Sequence, residues 1–303
     1  MISGNRQLWK EVGWNGLRIS VPGVWETDRL GDCYILMEND GFPVLEIKWN
    51  QLKGKFSPDK HLKRLKSKYH KQKTNQEIFS WVVPRSWSRI LKGYDITGFK
   101  WDGKLFSGKG LILFCKDCKR ATLLQFYENR YKKNSVSTLI DYPAVLSSFQ
   151  DHNSKGICLW AVFDIRAELP EQFKLLRHSF KPGSYELVFE AEGYQLAFYR
   201  WSPASVILFD NDLRSFARKV FPFESCEGVS ESRDCPDSIE FLVLPSLGFW
   251  KKWRQRLRKK KIFKWSRLWH ISDANRILGI RAESNRPMDI DFLKNICSRY
   301  GVV

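Results

Sequence analysis

Cys115-Lys116-Asp117-Cys118 is the one metal-type motif in the 303-residue sequence. Two thiolates at this spacing can take two corners of a tetrahedral zinc site, which then needs two more ligands. No second CxxC exists. Cys226 and Cys235, with eight residues between them, and His270 are the remaining candidates. Structural zinc at Cys115 and Cys118 is therefore one expectation, and two ordinary thiols flanking a turn is the other. The motif lies between the strand-like runs Leu111–Phe114 and Ala121–Phe126, where a hairpin turn is expected. A redox pair usually opens a helix, whose N-terminus lowers the thiol pKa. This position disfavours redox catalysis.

Little else in the sequence carries reaction chemistry. It contains no G-x-S-x-G, H-E-x-x-H, Walker loop or G-x-G-x-x-G. Gly108-Lys109-Gly110 precedes a strand rather than a helix, so it reads as turn chemistry and not as a phosphate cradle. The five histidines are dispersed, and His61 and His70 fall in a basic segment where they are expected to face solvent. Glu38 and Glu190 recur at matching places in the two halves. Paired acids can do acid–base work when held about 5–10 Å apart, but these sit at strand ends beside turns. Asp117 with Arg120, and Asp273 with Arg276, read as turn salt bridges. No nucleophile or base stands out. An enzyme would need a pocket between the halves, lined by Glu38, Glu190 or the cysteine pair.

Charge is more informative. The net charge is +18, from 51 Lys+Arg against 33 Asp+Glu. Lys60–Lys73 holds seven Lys/Arg and no acid, and Lys251–Arg267 holds ten and no acid. Outside these two segments the chain is close to neutral. In the first, Leu62, Leu65 and Tyr69 share a helical stripe that can pack inward while Lys63, Arg64 and Lys66 point out. In the second, Trp250, Trp253 and Leu257 lie at helical spacing among Lys251, Lys252, Arg254, Arg256, Arg258, Lys259, Lys260 and Lys261, with Lys264 and Arg267 beyond. Like charges repel, so a run of cations without an acid points to an anionic partner. Nucleic acid comes first, bound through its phosphates with stacking on exposed aromatics. An acidic protein surface is second, and an anionic membrane surface third.

The elements that position these residues recur along the chain. Laid together at Trp49 and Trp201, the halves bring Glu38 onto Glu190, Gly41 onto Gly193, and Pro22 with Trp25 onto Pro170 with Phe173. Helical patterns follow from Ser57-Pro58 and from Asp210. Each half closes on another helical pattern, Thr138–Phe149 and Ile290–Tyr300, the latter capped by Gly301. Turn signals such as Asn39-Asp40-Gly41 join the strand-like runs. The expected order per half is β-β-β-α-β-β-β-α: an α+β fold of two diverged repeats, each an antiparallel sheet with flanking helices. The repeats run 1–150 and 156–303, with Gln150–Lys155 as linker and a basic, Trp-rich insertion at 249–269.

This order, with Ile19, Val21, Pro22 and Trp25 early, the Gly41–Ile47 strand and the helix after it, resembles the PsbP-like fold. That superfamily includes the oxygen-evolving photosystem subunit and a small nuclear-import factor that binds the GTPase Ran. The resemblance implies a binding module rather than an enzyme, and it carries over no catalytic residues. Met1–Trp14 lacks a secretory apolar core, no run reaches the ~18 apolar residues of a membrane span, and the seven cysteines are scattered. The expectation is a cytoplasmic, non-enzymatic adaptor for a polyanion.

Overall fold

A computed structural model describes residues 8–71, 77–129, 141–152, 156–221, 229–232, 237–243 and 262–303. The chain divides into two units: Met1–Lys155 with Leu159–Phe163, and Gly156–Cys158 with Asp164–Val303. All sheets are antiparallel, and strand outweighs helix, 55% against 18%. The fold is thus mixed α and β, with helices in the minority. Among the described residues, no helix is long and apolar enough to cross a membrane.

In the first unit, β1 (Trp9–Trp14) and β2 (Leu17–Pro22) form a hairpin with Val12 opposite Ile19. A seven-stranded sheet follows. β3 (Glu26–Gly31) is its charged edge, as exposed edges favour, and leads into β4 (Tyr34–Asn39) and β5 (Phe42–Gln51). Asp40 and Gly41 join these last two, both at positive φ (55° and 76°), the geometry a tight hairpin turn requires. Helix α1 (Pro58–Lys71) then crosses to β6 (Glu77–Trp81) at the far edge. After the short α2 (Arg85–Ile90) come β7 (Tyr94–Asp102), β8 (Phe106–Cys115) and β9 (Arg120–Asn129), then α3 (Tyr142–Ser147). The strand order is β3-β4-β5-β9-β8-β7-β6.

Both faces of this sheet are covered, which is why its central strands read as continuous apolar runs. On one face, cross-strand registers align Leu45 with Phe126, Ile47 with Leu124, and Leu124 with Leu111. All five are fully buried, and each contributes about 1.5–3 kcal/mol. α2 and α3 cap this face through Trp87 and Tyr142, whose rings lie 6.4 and 4.9 Å from that of Phe126. The other face buries Ile78, Phe99, Trp101 and Ile112 beneath Leu62 and Leu65 of α1, so the helix stripe points inward. Gly108 and Gly110 belong here, in the interior of β8 and not in a turn. A Cβ on Gly110 would lie 2.1 Å from the Phe99 ring, and one on Gly108 2.7 Å from that of Trp101. The glycines leave room for aromatic rings laid across the strand.

β10 (Ile157–Val162) sets Ala161 opposite Gly13 of β1. In the second unit, β11 (Ile165–Pro170) precedes β12 (Lys174–Lys181), β13 (Ser184–Ala191) and β14 (Tyr194–Trp201). Then come α4 (Ala204–Ile207), α5 (Leu213–Val220), β15 (Val229–Ser232), β16 (Ser238–Val243), β17 (Phe263–Ile271), β18 (Arg276–Ser284), α6 (Ile290–Ser298) and β19 (Tyr300–Val302). Its seven-stranded sheet has the order β12-β13-β14-β18-β17-β16-β15, and β19 pairs with β11.

Several sequence expectations are corrected. Strands outnumber the expected three before and three after the helix: β3 is a charged edge strand without apolar alternation, and β1 with β2 forms an additional hairpin. α5 is capped by Asp212, whose carboxylate accepts from the Ser215 N–H, rather than starting at Asp210. The described part of the Thr138–Phe149 pattern is only α3, capped by Asp141. α6 ends at Ser298, and Gly301 pairs with Arg166 in a strand instead of capping a helix.

Candidate functional site

The cationic helix is built as its pattern implies. Ser57 opens α1, its carbonyl accepting from the His61 N–H at 3.2 Å. With Leu62 and Leu65 turned inward, Lys60, Lys63, Arg64 and Lys66 are exposed, as are Lys53 and Lys55 just upstream. Asp59 is the single acid along this stretch. Arg85, Arg89 and Lys92, in and after α2, are exposed as well.

Beneath α1 lies a cavity of about 710 Å³ whose wall includes Arg29, Lys48, His61, Arg64 and the buried Glu46. His61 is therefore half-buried and not simply solvated. Burial, reinforced by the Arg64 charge, lowers its pKa. Gln125 and Tyr127 donate to the Glu46 carboxylate, Tyr127 at 3.1 Å, and Lys48 pairs with it. Burial, with the Glu46 charge, pushes Tyr34 up to about 12. Gln125, Tyr127 and Lys48 thus already occupy the Glu46 carboxylate.

The second constellation is the cysteine motif. Cys115 ends β8 and Cys118 lies in the turn to β9, as the hairpin reading expects. Lys119 in that turn takes positive φ (57°). The structure brings Asp151 and His152 to the motif. Cys115 Sγ is 3.6 Å from His152 Nδ1, Cys118 Sγ donates to Asp151 Oδ2 at 3.4 Å, and His152 Nδ1 lies 2.6 Å from Asp151 Oδ1. One ligand-type atom from each of the four residues falls within 4.8 Å of all the others.

These residues are held from outside. Gln150 exchanges two backbone hydrogen bonds with Arg18 of β2, both at 2.8 Å, which fixes the chain just before Asp151. The Tyr94 hydroxyl donates to Asp151 Oδ1 at 3.0 Å, and the Arg120 guanidinium donates to the Asp151 carbonyl. Burial, with the Asp151 charge, raises the Tyr94 pKa above the usual tyrosine range. Burial also pushes the Cys118 thiol up to about 12. The Asp151 side chain is fully buried, whereas that of His152 is 42% exposed.

This geometry changes the sequence reading in three ways. Residues 150–152, expected as linker, are packed and bonded within the first unit. The residues that join the cysteine pair are Asp151 and His152. His270 stands on β17, its N–H donating to the Asp237 carbonyl at 2.9 Å, while Cys226 and Cys235 lie outside the described residues. Finally, Arg120 and Arg276 do not serve turn salt bridges. Arg120 reaches the Asp151 carbonyl, and Arg276 pairs with Asp164 at 2.9 Å beside the buried Arg200. The sequence signal for this site is the Asp-His dipeptide placed just after a helix.

Of the second basic segment, Lys251, Lys252, Arg254, Arg256, Arg258 and Lys259–Lys261 lie outside the described residues. Lys264 and Arg267 are in β17, opposite Val243 and Glu240 of β16. In the same strand Trp265 is fully buried, and Trp269 packs edge-on against Tyr300 with ring centroids 5.8 Å apart. Trp265 is thus a core residue rather than a stacking platform, and Trp269 is half-buried against Tyr300. Glu38 on β4 faces Pro43, and Glu190 on β13 faces Gln195. Among known proteins, no family model and no curated protein matches this sequence.

Proposed function

We propose that this chain is a non-enzymatic binding protein that engages a polyanion, with nucleic acid the favoured partner, through the outer face of α1 and the basic segment that ends in β17. The observation that carries this is the clustering of cations. Two segments hold seven and ten Lys/Arg without one acid, and in the described one Lys60, Lys63, Arg64 and Lys66 are exposed on one element. Arginine and lysine neutralise phosphates without demanding fine geometry, so such a face suits backbone binding.

The scaffold reading belongs to the same proposal: two diverged PsbP-like repeats serving as an adaptor. It is supported by the strand orders, β3-β4-β5-β9-β8-β7-β6 and β12-β13-β14-β18-β17-β16-β15, which correspond one for one. Matching turns support it too. The Trp25 N–H donates to the Pro22 carbonyl and the Phe173 N–H to that of Pro170, both at 3.0 Å. Gly41 and Gly193 close equivalent hairpins at φ 76° and 80°.

The test is fluorescence anisotropy with labelled single-stranded and duplex oligonucleotides. Neutralising Lys63, Arg64 and Lys66 together with Arg254, Arg256, Arg258 and Lys259–Lys261 is expected to cost at least tenfold in affinity with the melting temperature unchanged. Equal affinity in this variant would overturn the reading. Binding confined to acidic proteins would replace nucleic acid as the partner.

A further inference from the structure

We propose that Cys115, Cys118, Asp151 and His152 form a zinc site that fastens the segment after α3 to the β8–β9 turn. The donor set comes first. Two thiolates, an imidazole and a carboxylate suit zinc, whereas calcium and magnesium prefer all-oxygen cages.

The distances come next. For a tetrahedral ion with Zn–S near 2.3 Å and Zn–N or Zn–O near 2.0–2.1 Å, the sulfur–nitrogen and sulfur–oxygen edges are about 3.5 Å. The cysteine–histidine and cysteine–aspartate separations are 3.6 and 3.4 Å. The 2.6 Å contact between His152 Nδ1 and Asp151 Oδ1 is shorter than a ligand edge. It is a hydrogen bond on the other carboxylate oxygen, and zinc replaces it with an Nδ1–zinc bond.

The supporting groups are those a metal site needs. Tyr94 orients Asp151 through Oδ1, leaving Oδ2 for the ion. Gln51 donates to the Cys118 carbonyl, and the Leu52 N–H donates to the Lys119 carbonyl at 3.0 Å, so the turn is fixed from β5. Such outer partners hold ligands in place. On binding, each thiol gives its proton to solvent and forms a sulfur–zinc bond, His152 binds neutral through Nδ1 with its ring proton moved by way of solvent to Nε2, and Asp151 binds as carboxylate. Zinc with three anionic ligands carries one net negative charge, and Arg120, bonded to the Asp151 carbonyl, supplies the balancing positive charge. Four protein ligands close the site, so it is structural rather than catalytic. His152, the exposed member, faces the entry path. This inference stands apart from the polyanion reading and survives its failure.

The test is a Co²⁺ titration of the untagged full chain under reducing, anaerobic conditions. The expected result is one equivalent bound, with the visible bands of a tetrahedral ion, a sulfur-to-cobalt charge-transfer band, and displacement by Zn²⁺. The charge-transfer band should persist in Cys33→Ser/Cys158→Ser and in Cys226→Ser/Cys235→Ser, and vanish in Cys115→Ser/Cys118→Ser. Should that last variant fail to fold, alkylation of the wild-type chain gives the answer without it. One equivalent of Zn²⁺ should slow modification of Cys118 at least tenfold while leaving Cys33 unchanged. An octahedral spectrum without a thiolate band, a band that depends on Cys226 and Cys235, or no protection of Cys118 would each overturn the proposal.

Discussion

Cys118 Sγ lies 3.4 Å from Asp151 Oδ2, although 33 residues separate them in the chain. The contact exists because two local events converge. A hairpin turn presents the cysteine, and α3 followed by the Gln150–Arg18 bridge delivers the aspartate. Asp151 is thereby buried within the first unit, with the exposed Gln150 and His152 on either side.

The fully buried Asp151 carboxylate accepts from the half-buried Tyr94 and Cys118, so removing it leaves both donors without this acceptor. Asp151→Ala is expected to lose about 1–3 kcal/mol of stability. Urea denaturation with chelator present measures this apart from any metal.

Gly110 has the Phe99 ring where a side chain would go. Gly110→Ala therefore overpacks the α1 face and should cost about 1–3 kcal/mol. Gly54 has nothing near its Cβ position and serves as the control. Gly54→Ala should leave the urea denaturation midpoint close to wild type, while Gly110→Ala lowers it.

Glu128 ties α3 to the sheet. It accepts from Lys109 at 2.8 Å and from the Tyr142 hydroxyl at 2.9 Å. Burial pushes its pKa up, but these hydrogen bonds and the Lys109 and Lys100 charges together outweigh burial and hold it below its ordinary value. A depressed carboxylate adds stability that is present above its unfolded pKa and is lost as pH falls through the folded value. Wild type should therefore lose more stability than Glu128→Gln between about pH 5 and pH 3. Parallel pH profiles of the melting temperature would contradict this.

What can be read from the sequence follows from which signals are local. The Asn39-Asp40-Gly41 turn, the inward Leu62 and Leu65 of α1, and the hairpin around Cys115–Cys118 depend on a few adjacent residues, and all three stand as expected. Gly108 and Gly110 escape a local reading because their reason is an aromatic ring from the neighbouring strand. Asp151 and His152 escape it because a polar stretch after a helix looks like linker until Tyr94 and Arg120 are placed beside it. Charge clustering is visible at once. Whether Trp265 is core or exposed is not, because burial is set by the strands around it.

The salt dependence of oligonucleotide binding tests the central claim most directly. Each neutralised phosphate contributes a slope of about −0.9 in log K against log salt for duplex DNA. The account predicts measurable binding at about 50 mM salt, a steep linear loss toward about 200 mM, and a slope shallower by roughly 2–3 in Lys63→Gln/Arg64→Gln/Lys66→Gln. No binding at low salt, or a slope unchanged when these three cations are removed, would contradict it.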